Sequence, residues 1–249
     1  MEHRAIEVST ACYMHDFAMT EHYAIFFDTP AVMVQDWSGG MPFQWQEGRG
    51  TRIGVVPRSG GPARWFDVPA CQLLHTANAF EEDGRIVVDG TRAARFSPDS
   101  PTALYRWEID LERGIVSEAA LGHHTVELPR VDERRTGRPY RYVYAVEFCD
   151  FGPGSIPRGS LLRRYDVETG ASVASNFGVR YAPGEPVFIP KAADAAENDG
   201  WVIALRYDRE EDRSDLIVLD ANEFDGDPVA IVHLPRRVPF GFHGSWVAD

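Results

Sequence analysis

A chain of 249 residues can bury a full core, as one large all-β domain or as two ordinary ones. Its formal net charge of −13 leaves no basic surface to neutralise a phosphate backbone, so no nucleic-acid partner is expected. Nowhere do about 18 apolar residues run together, and Met1–Thr10 has no apolar signal core. The expectation is a soluble, unprocessed, cytoplasmic protein, with peripheral contact with a membrane left open.

From the N-terminus, Tyr23–Phe27 reads as the first strand, short and rich in aromatic and β-branched residues. The loop-like stretch Trp37–Trp45 carries aromatics and Met, which suit blade packing better than a tunnel wall or membrane-facing edge. Strands follow at Thr51–Val56 and Ile86–Asp89. Arg134, Arg135, Arg138 and Arg141 cluster among acidic residues and prolines, and read as a solvated loop before a strand rather than an anion site. Further strands are predicted at Tyr142–Phe148, Trp201–Tyr207, Leu216–Leu219 and Val229–Leu234, with room for one helical turn at Asp194–Asn198. Cys12, Cys71 and Cys149 are too few and too dispersed for a disulfide framework or a thiolate metal site.

Two periodic features cut across these elements. Leu104-Tyr-Arg-Trp-Glu-Ile-Asp-Leu-Glu-Arg-Gly114 resembles Leu162-Arg-Arg-Tyr-Asp-Val-Glu-Thr-Gly170, and a looser copy runs from Leu216 to Gly226. Each copy reads as strand, Gly-containing turn, strand, the outer hairpin of a four-stranded unit. The second feature is a ladder of His15, His75, Glu127, Glu185 and His243, spaced by 60, 52, 58 and 58 residues. All-β units of this length fit β-propeller blades, slightly longer than the roughly 40 to 50 residues of the common blade families. In a propeller the innermost strand of every blade lines the axis, so residues one blade apart converge.

Imidazole suits Fe, Zn, Cu and Ni, and a ligating His usually gives its second ring N–H to a carboxylate or carbonyl. Glu127 and Glu185 are placed for that task. Taken singly, each histidine is more often structural, and each glutamate a surface or turn residue. His3, His22, His123, His124 and His233 lack the ladder's support, and His123-His124 reads as an exposed turn.

The stretches MHDFAMTEHYAIFFD, HTANAFEEDGRIVVDG, ELPRVDERRTGRPYRYVYA, GEPVFIP and FHGSW together resemble the carotenoid cleavage oxygenases. That family includes carotenoid, apocarotenoid and lignostilbene dioxygenases and the retinoid isomerase of the retinal pigment epithelium. The resemblance covers essentially the whole chain, residues 1–249, as the C-terminal portion of a single propeller domain. It implies a seven-bladed propeller holding Fe(II) through four histidines with three supporting glutamates, and O₂-dependent cleavage of a conjugated C=C bond into two carbonyl products. Carried over, His15, His75 and His243 resemble the second, third and fourth iron ligands. Glu127 and Glu185 resemble two of the supporting carboxylates, oriented toward His75 and His243 respectively, and Phe242 an aromatic lining the substrate cavity.

Family members are usually close to twice this long, so the chain is expected to hold about four blades, with the first histidine and one glutamate upstream of Met1. The expected partners are O₂ and an apolar conjugated small molecule. A rival reading is a non-catalytic fragment needing a polypeptide that supplies the missing N-terminal blades. A propeller binding module with incidental histidines is a third.

Overall fold

A computed structural model describes residues 5–148 and 161–247 of the chain. His3 and Cys149 lie outside the described residues; Cys12 and Cys71 carry free thiols.

The described chain is all-β. A first antiparallel sheet contains β1 (Phe17–Met19) and β2 (Tyr23–Asp28). A small hairpin of β3 (Ala31–Met33) and β4 (Phe43–Trp45) stands apart from it. The chain then returns as β5 (Thr51–Pro57) and β6 (Arg64–Val68), giving the order β1-β2-β5-β6. The second sheet is a plain meander of β7 (Gln72–Glu82), β8 (Arg85–Ala93), β9 (Thr102–Asp110) and β10 (Ile115–Ala120). The third repeats it with β11 (Val126–Arg130), β12 (Tyr142–Glu147), β13 (Leu161–Asp166) and β14 (Ser172–Ser175). In the fourth, β15 (Tyr181–Pro183) and β16 (Val187–Pro190) both pair with β17 (Gly200–Asp208), followed by β18 (Arg213–Asp220) and β19 (Ala230–His233).

Turn chemistry explains why the sequence repeat is visible. Gly114 and Gly170 occupy the left-handed region at φ +72° and +74°, and each donates its N–H to the carbonyl of an aspartate four residues earlier, Asp110 or Asp166, at 2.9 Å. The repeated Asp-x-x-x-Gly segment is therefore the turn joining the outer strands of sheets two and three. In the fourth sheet the longer turn after Asp220 does the same work.

The sheets stack in chain order through three apolar layers. Ile25, Phe27, Ile53 and Val55 of the first meet Val88, Trp107 and Ile109 of the second. Phe80, Val87 and Leu104 meet Val126, Val143 and Tyr165. Tyr144, Val146 and Leu162 meet Phe188, Val202, Ile217 and Phe224. Sheet two is thus covered on both faces, which is why β8 is buried along most of its length rather than at alternate residues. The outer strand β19 is exposed throughout.

Three sequence expectations change. Asp194–Asn198 forms turns instead of a helical turn, because its polar side chains are engaged elsewhere: Glu197 Oε1 accepts from the N–H groups of Arg141 and Tyr142 at 2.7 and 2.9 Å, and Asn198 Oδ1 accepts from Tyr144 at 2.6 Å. The helical element among the described residues is a 3-10 turn, Glu133–Arg135, within the arginine cluster. Three of those arginines pair with acids, Arg134 with Asp132 at 2.6 Å, Arg135 with Glu197 at 3.8 Å and Arg141 with Asp166 at 2.7 Å. The strand predicted at Ile86–Asp89 extends over Arg85–Ala93, and that at Val229–Leu234 contracts to Ala230–His233. Among the described residues no helix is long and apolar enough to cross a membrane.

Candidate metal centre

One rung of the ladder lies in or beside the opening strand of each sheet. His15 lies just before β1, His75 within β7, Glu127 within β11, and Glu185 between β15 and β16. His243 comes from the irregular segment that follows β19. One ring nitrogen from each of His15, His75 and His243 lies within 4.8 Å of the others. The His75 ring meets the other two edge-to-face, with centroids 4.9 Å from His15 and 5.0 Å from His243.

Carboxylates stand behind two of the three rings. His75 Nδ1 is 2.7 Å from Glu127 Oε2, and His243 Nδ1 is 3.0 Å from Glu185 Oε1. An ionised carboxylate only accepts, so each Nδ1 donates and each Nε2 keeps its lone pair. His75 Nε2 is buried with no hydrogen-bond partner. A buried imidazole nitrogen left bare, facing two other imidazoles, fits a metal ion that takes nitrogen donors.

A His–carboxylate pair alone would not identify the site. His22 pairs with Glu81, His124 with Glu147 and His233 with Asp215 in the same manner, all away from this centre. What distinguishes His15, His75 and His243 is their convergence. Their electrostatics differ too: desolvation, followed by the neighbouring His75, lowers the pKa of His15. For His75, burial also pulls downward, but the hydrogen bond and charge of Glu127 outweigh it and the pKa is raised.

Local irregularities aim these side chains. β7 breaks register against β8 on both sides of Thr76, and β11 breaks register against β12 between Glu127 and Arg130, where Leu128 adopts φ +54°. Such breaks redirect side chains out of the regular alternation. Gly90 on β8 makes room for the first of them, because a Cβ there would lie 2.8 Å from the His75 carbonyl oxygen.

Several residues of the site were not singled out by sequence. Arg130 lies 3.1 Å from Glu185 Oε2 and donates to the Gly244 carbonyl at 2.9 Å, while the Gly244 N–H donates to Glu185 Oε2 at 2.7 Å. Asp16 accepts from Thr76, and Tyr13 stacks on the His15 ring with its hydroxyl 3.3 Å from Nδ1. Tyr13 also contacts Phe43 and Phe96, so part of the Trp37–Trp45 stretch backs His15 while Trp37 itself is exposed. Arg130, Asp16 and Thr76 all fall inside the quoted motifs; Asp16 and Thr76 directly follow a rung of the ladder and Arg130 lies three residues after one, which was the available signal.

The cavity beside the imidazoles is polar, bounded by His15, Asp16, His75, Arg130, Glu185 and His243 among others. Phe242 is not among its walls. It is 75% exposed and lines an apolar groove with Val187, Ile203, Leu216 and Phe240, which shares Glu185 and His243 with the polar cavity.

The model of the retinal pigment epithelial membrane protein family matches residues 1–248. The chain belongs to this family. Its relatives include the apocarotenoid-15,15'-oxygenase of Synechocystis sp., 32% identical over 94% of this chain and 51% of the relative. Isozyme III of lignostilbene-alpha,beta-dioxygenase from Sphingomonas paucimobilis is 34% identical over 96% of this chain and 55% of its own length. The chain therefore spans about half the length of these relatives. Among solved structures, the lignostilbene dioxygenase of Pseudomonas brassicacearum superposes with a TM-score of 0.89 at 33% identity, covering 98% of this chain and 57% of that one. A cobalt-substituted Synechocystis ACO gives 0.86 at 31% identity, over 96% and 53%. The all-β fold is thus that of carotenoid oxygenase structures.

Proposed function

We propose that His15, His75 and His243 are three of the ligands of a non-haem Fe(II) centre, carried on about four blades of a seven-bladed propeller. In this reading the protein containing the chain cleaves a conjugated C=C bond of a carotenoid, apocarotenoid or stilbene with O₂, giving two carbonyl products. The observation that carries it is the bare, buried Nε2 of His75 facing two further imidazoles while its Nδ1 is held by Glu127. The names of the relatives, carotenoid and lignostilbene oxygenases, support the substrate class.

Bound iron would supply the redox chemistry that lets O₂ react with an alkene. The chain's own residues do the rest. The three imidazoles present neutral nitrogen donors, and Glu127 and Glu185 hold two of them in the tautomer that keeps Nε2 free. The groove lined by Ile203, Leu216, Phe240 and Phe242 offers an apolar surface beside His243 for a conjugated chain or ring. No protein general base is required, since the atoms of O₂ end in the two carbonyls.

A second reading is favoured by the fourth sheet. Ile231 and Val232 on β19, together with Phe240, Trp246 and Val247 after it, are exposed. With the half-length match, this supports a fragment that acts only beside a polypeptide carrying further blades. The test is iron content and O₂-dependent cleavage of a carotenoid and stilbene panel, for this chain alone and for a version extended upstream. One iron per chain and two carbonyl products, lost in His75→Ala, are expected. Iron binding without turnover in the short form, with turnover in the extended one, selects the second reading. Absence of iron in both forms refutes the metal assignment.

A further inference from the structure

We infer that Asp16 and Thr76 are positioning residues, a clamp between the first two sheets that sets the separation of the His15 and His75 imidazoles. The inference rests on the metal-centre reading above and assigns roles to two residues that the reading itself does not use.

Asp16 and Thr76 each directly follow one of the histidines. Asp16 Oδ2 accepts from both the N–H and the hydroxyl of Thr76, each at 2.8 Å, and its Oδ1 accepts from the Phe17 N–H at 2.8 Å. The carboxylate therefore grips the backbone on both sides of the gap. β1 and β7 belong to different sheets, so no ladder of backbone bonds fixes their spacing. Thr76 is flanked by the two register breaks of β7, and a bulge leaves backbone groups free for partners outside the ladder. Its N–H finds Asp16.

The need for such a clamp follows from an asymmetry among the rings. His75 and His243 each have a glutamate at Nδ1, whereas His15 Nδ1 faces the Tyr13 hydroxyl at 3.3 Å, a weaker hold. Among the described residues no carboxylate is bonded to the His15 ring. Its placement is then governed by where the backbone at residues 15 and 16 sits, and Asp16 ties that backbone to the strand carrying His75. A passive brace between sheets would also use these hydrogen bonds, but it would not favour the residues next in sequence to both imidazoles.

The test uses the full chain and Co(II), with Asp16→Ala, Asp16→Asn, Thr76→Val and Thr76→Ser. Co(II) affinity and its visible absorption are measured by titration, and amide exchange at Thr76 is followed in metal-free protein. Loss of a group that orients a metal ligand typically costs about 10- to 100-fold in affinity. Asp16→Ala is expected to weaken Co(II) binding by about that factor and alter the spectrum, Thr76→Val by less, and Thr76→Ser to retain wild-type behaviour. Exchange at Thr76 should accelerate at least about tenfold in Asp16→Ala while amides of β8 and β9 stay protected. Unchanged affinity and spectrum in both Asp16→Ala and Thr76→Val would overturn the clamp. So would uniform acceleration across the second sheet, which marks a general brace. If Asp16→Ala does not fold, Asp16→Asn and Thr76→Val decide by the same readouts. A wild-type chain that takes up no Co(II) overturns the metal reading instead, and the clamp then stands or falls on exchange at Thr76.

Discussion

His75 and His243 make the same hydrogen bond from Nδ1 to a glutamate, yet they are supported by different parts of the molecule. His75 sits in an 11-residue strand with its side chain 13% exposed, whereas His243 lies on an irregular segment with 52% exposed. Their carboxylates are similarly buried, Glu127 at 9% and Glu185 at 5%. The difference lies in what else holds each glutamate. Glu185 also receives the Arg130 guanidinium and the Gly244 N–H. Glu127 has the Leu128 N–H at 3.0 Å besides His75, and its Oε1 has no partner. Identical ring chemistry can thus be integral to the core at one position and attached to it at another.

The largest expected effect separates the two histidines in metal-free protein. His75→Ala strips the buried Glu127 of its ring partner, and an unsatisfied buried polar group costs about 1–3 kcal/mol, more when charged. For a chain of this size that corresponds to a fall in Tm of roughly 3–10 °C. His243→Ala leaves Glu185 with Arg130 and Gly244, so its cost should stay within about 0.5 kcal/mol. Both variants should lose metal. Thermal unfolding in chelator measures the first contrast, and equal destabilisation of the two would break it.

Glycines beside the two rings sharpen the comparison at smaller amplitude. A Cβ at Gly90 would lie 2.8 Å from the His75 carbonyl oxygen and 3.3 Å from Thr76 Cα, both backbone atoms that yield only if β7 moves. A Cβ at Gly244, next to His243, would meet nothing within 4 Å. Gly90→Ala should cost about 1–3 kcal/mol as overpacking and weaken metal binding with it, while Gly244→Ala should be close to neutral. Chemical denaturation and Co(II) titration of the two variants check this.

The same contrast marks what the sequence could reveal. The repeat from Leu104 to Gly114 and from Leu162 to Gly170 was legible because an aspartate and a left-handed glycine make a turn by local chemistry alone. The ladder spacing located the histidines and glutamates that converge, since four of them sit at or beside the opening strand of successive sheets, with His243 following from the segment after the last strand. The bulges around Thr76 were not legible: they depend on Gly90, which is distant in sequence and matters only because it lacks a side chain facing His75. Asp194–Asn198 misled for the complementary reason, its helical composition being overridden by bonds to Arg141, Tyr142 and Tyr144. Phe242, read by resemblance as an aromatic of the substrate cavity, lies on the apolar groove that adjoins the polar cavity and shares Glu185 and His243 with it.

The smallest effect concerns pH and tests whether Glu127 governs His75 through charge. In metal-free protein burial lowers the His75 pKa, but the hydrogen bond and charge of Glu127 prevail, so the folded value lies above the ordinary one near 6.5. A folded state that binds its proton more tightly than the unfolded chain is stabilised fully below pH 6.5. That contribution is lost as pH rises through the folded pKa. In Glu127→Gln the charge is gone and burial dominates, so the same imidazole should favour its neutral form and contribute more stability as pH rises through that range. The difference in Tm between wild type and Glu127→Gln, followed from pH 5.5 to 8.5 in chelator, should therefore shrink as pH increases. With metal bound the wild-type trend should reverse, because the metal takes only deprotonated imidazole. A Tm difference that is flat with pH would mean that Glu127 holds His75 by geometry alone.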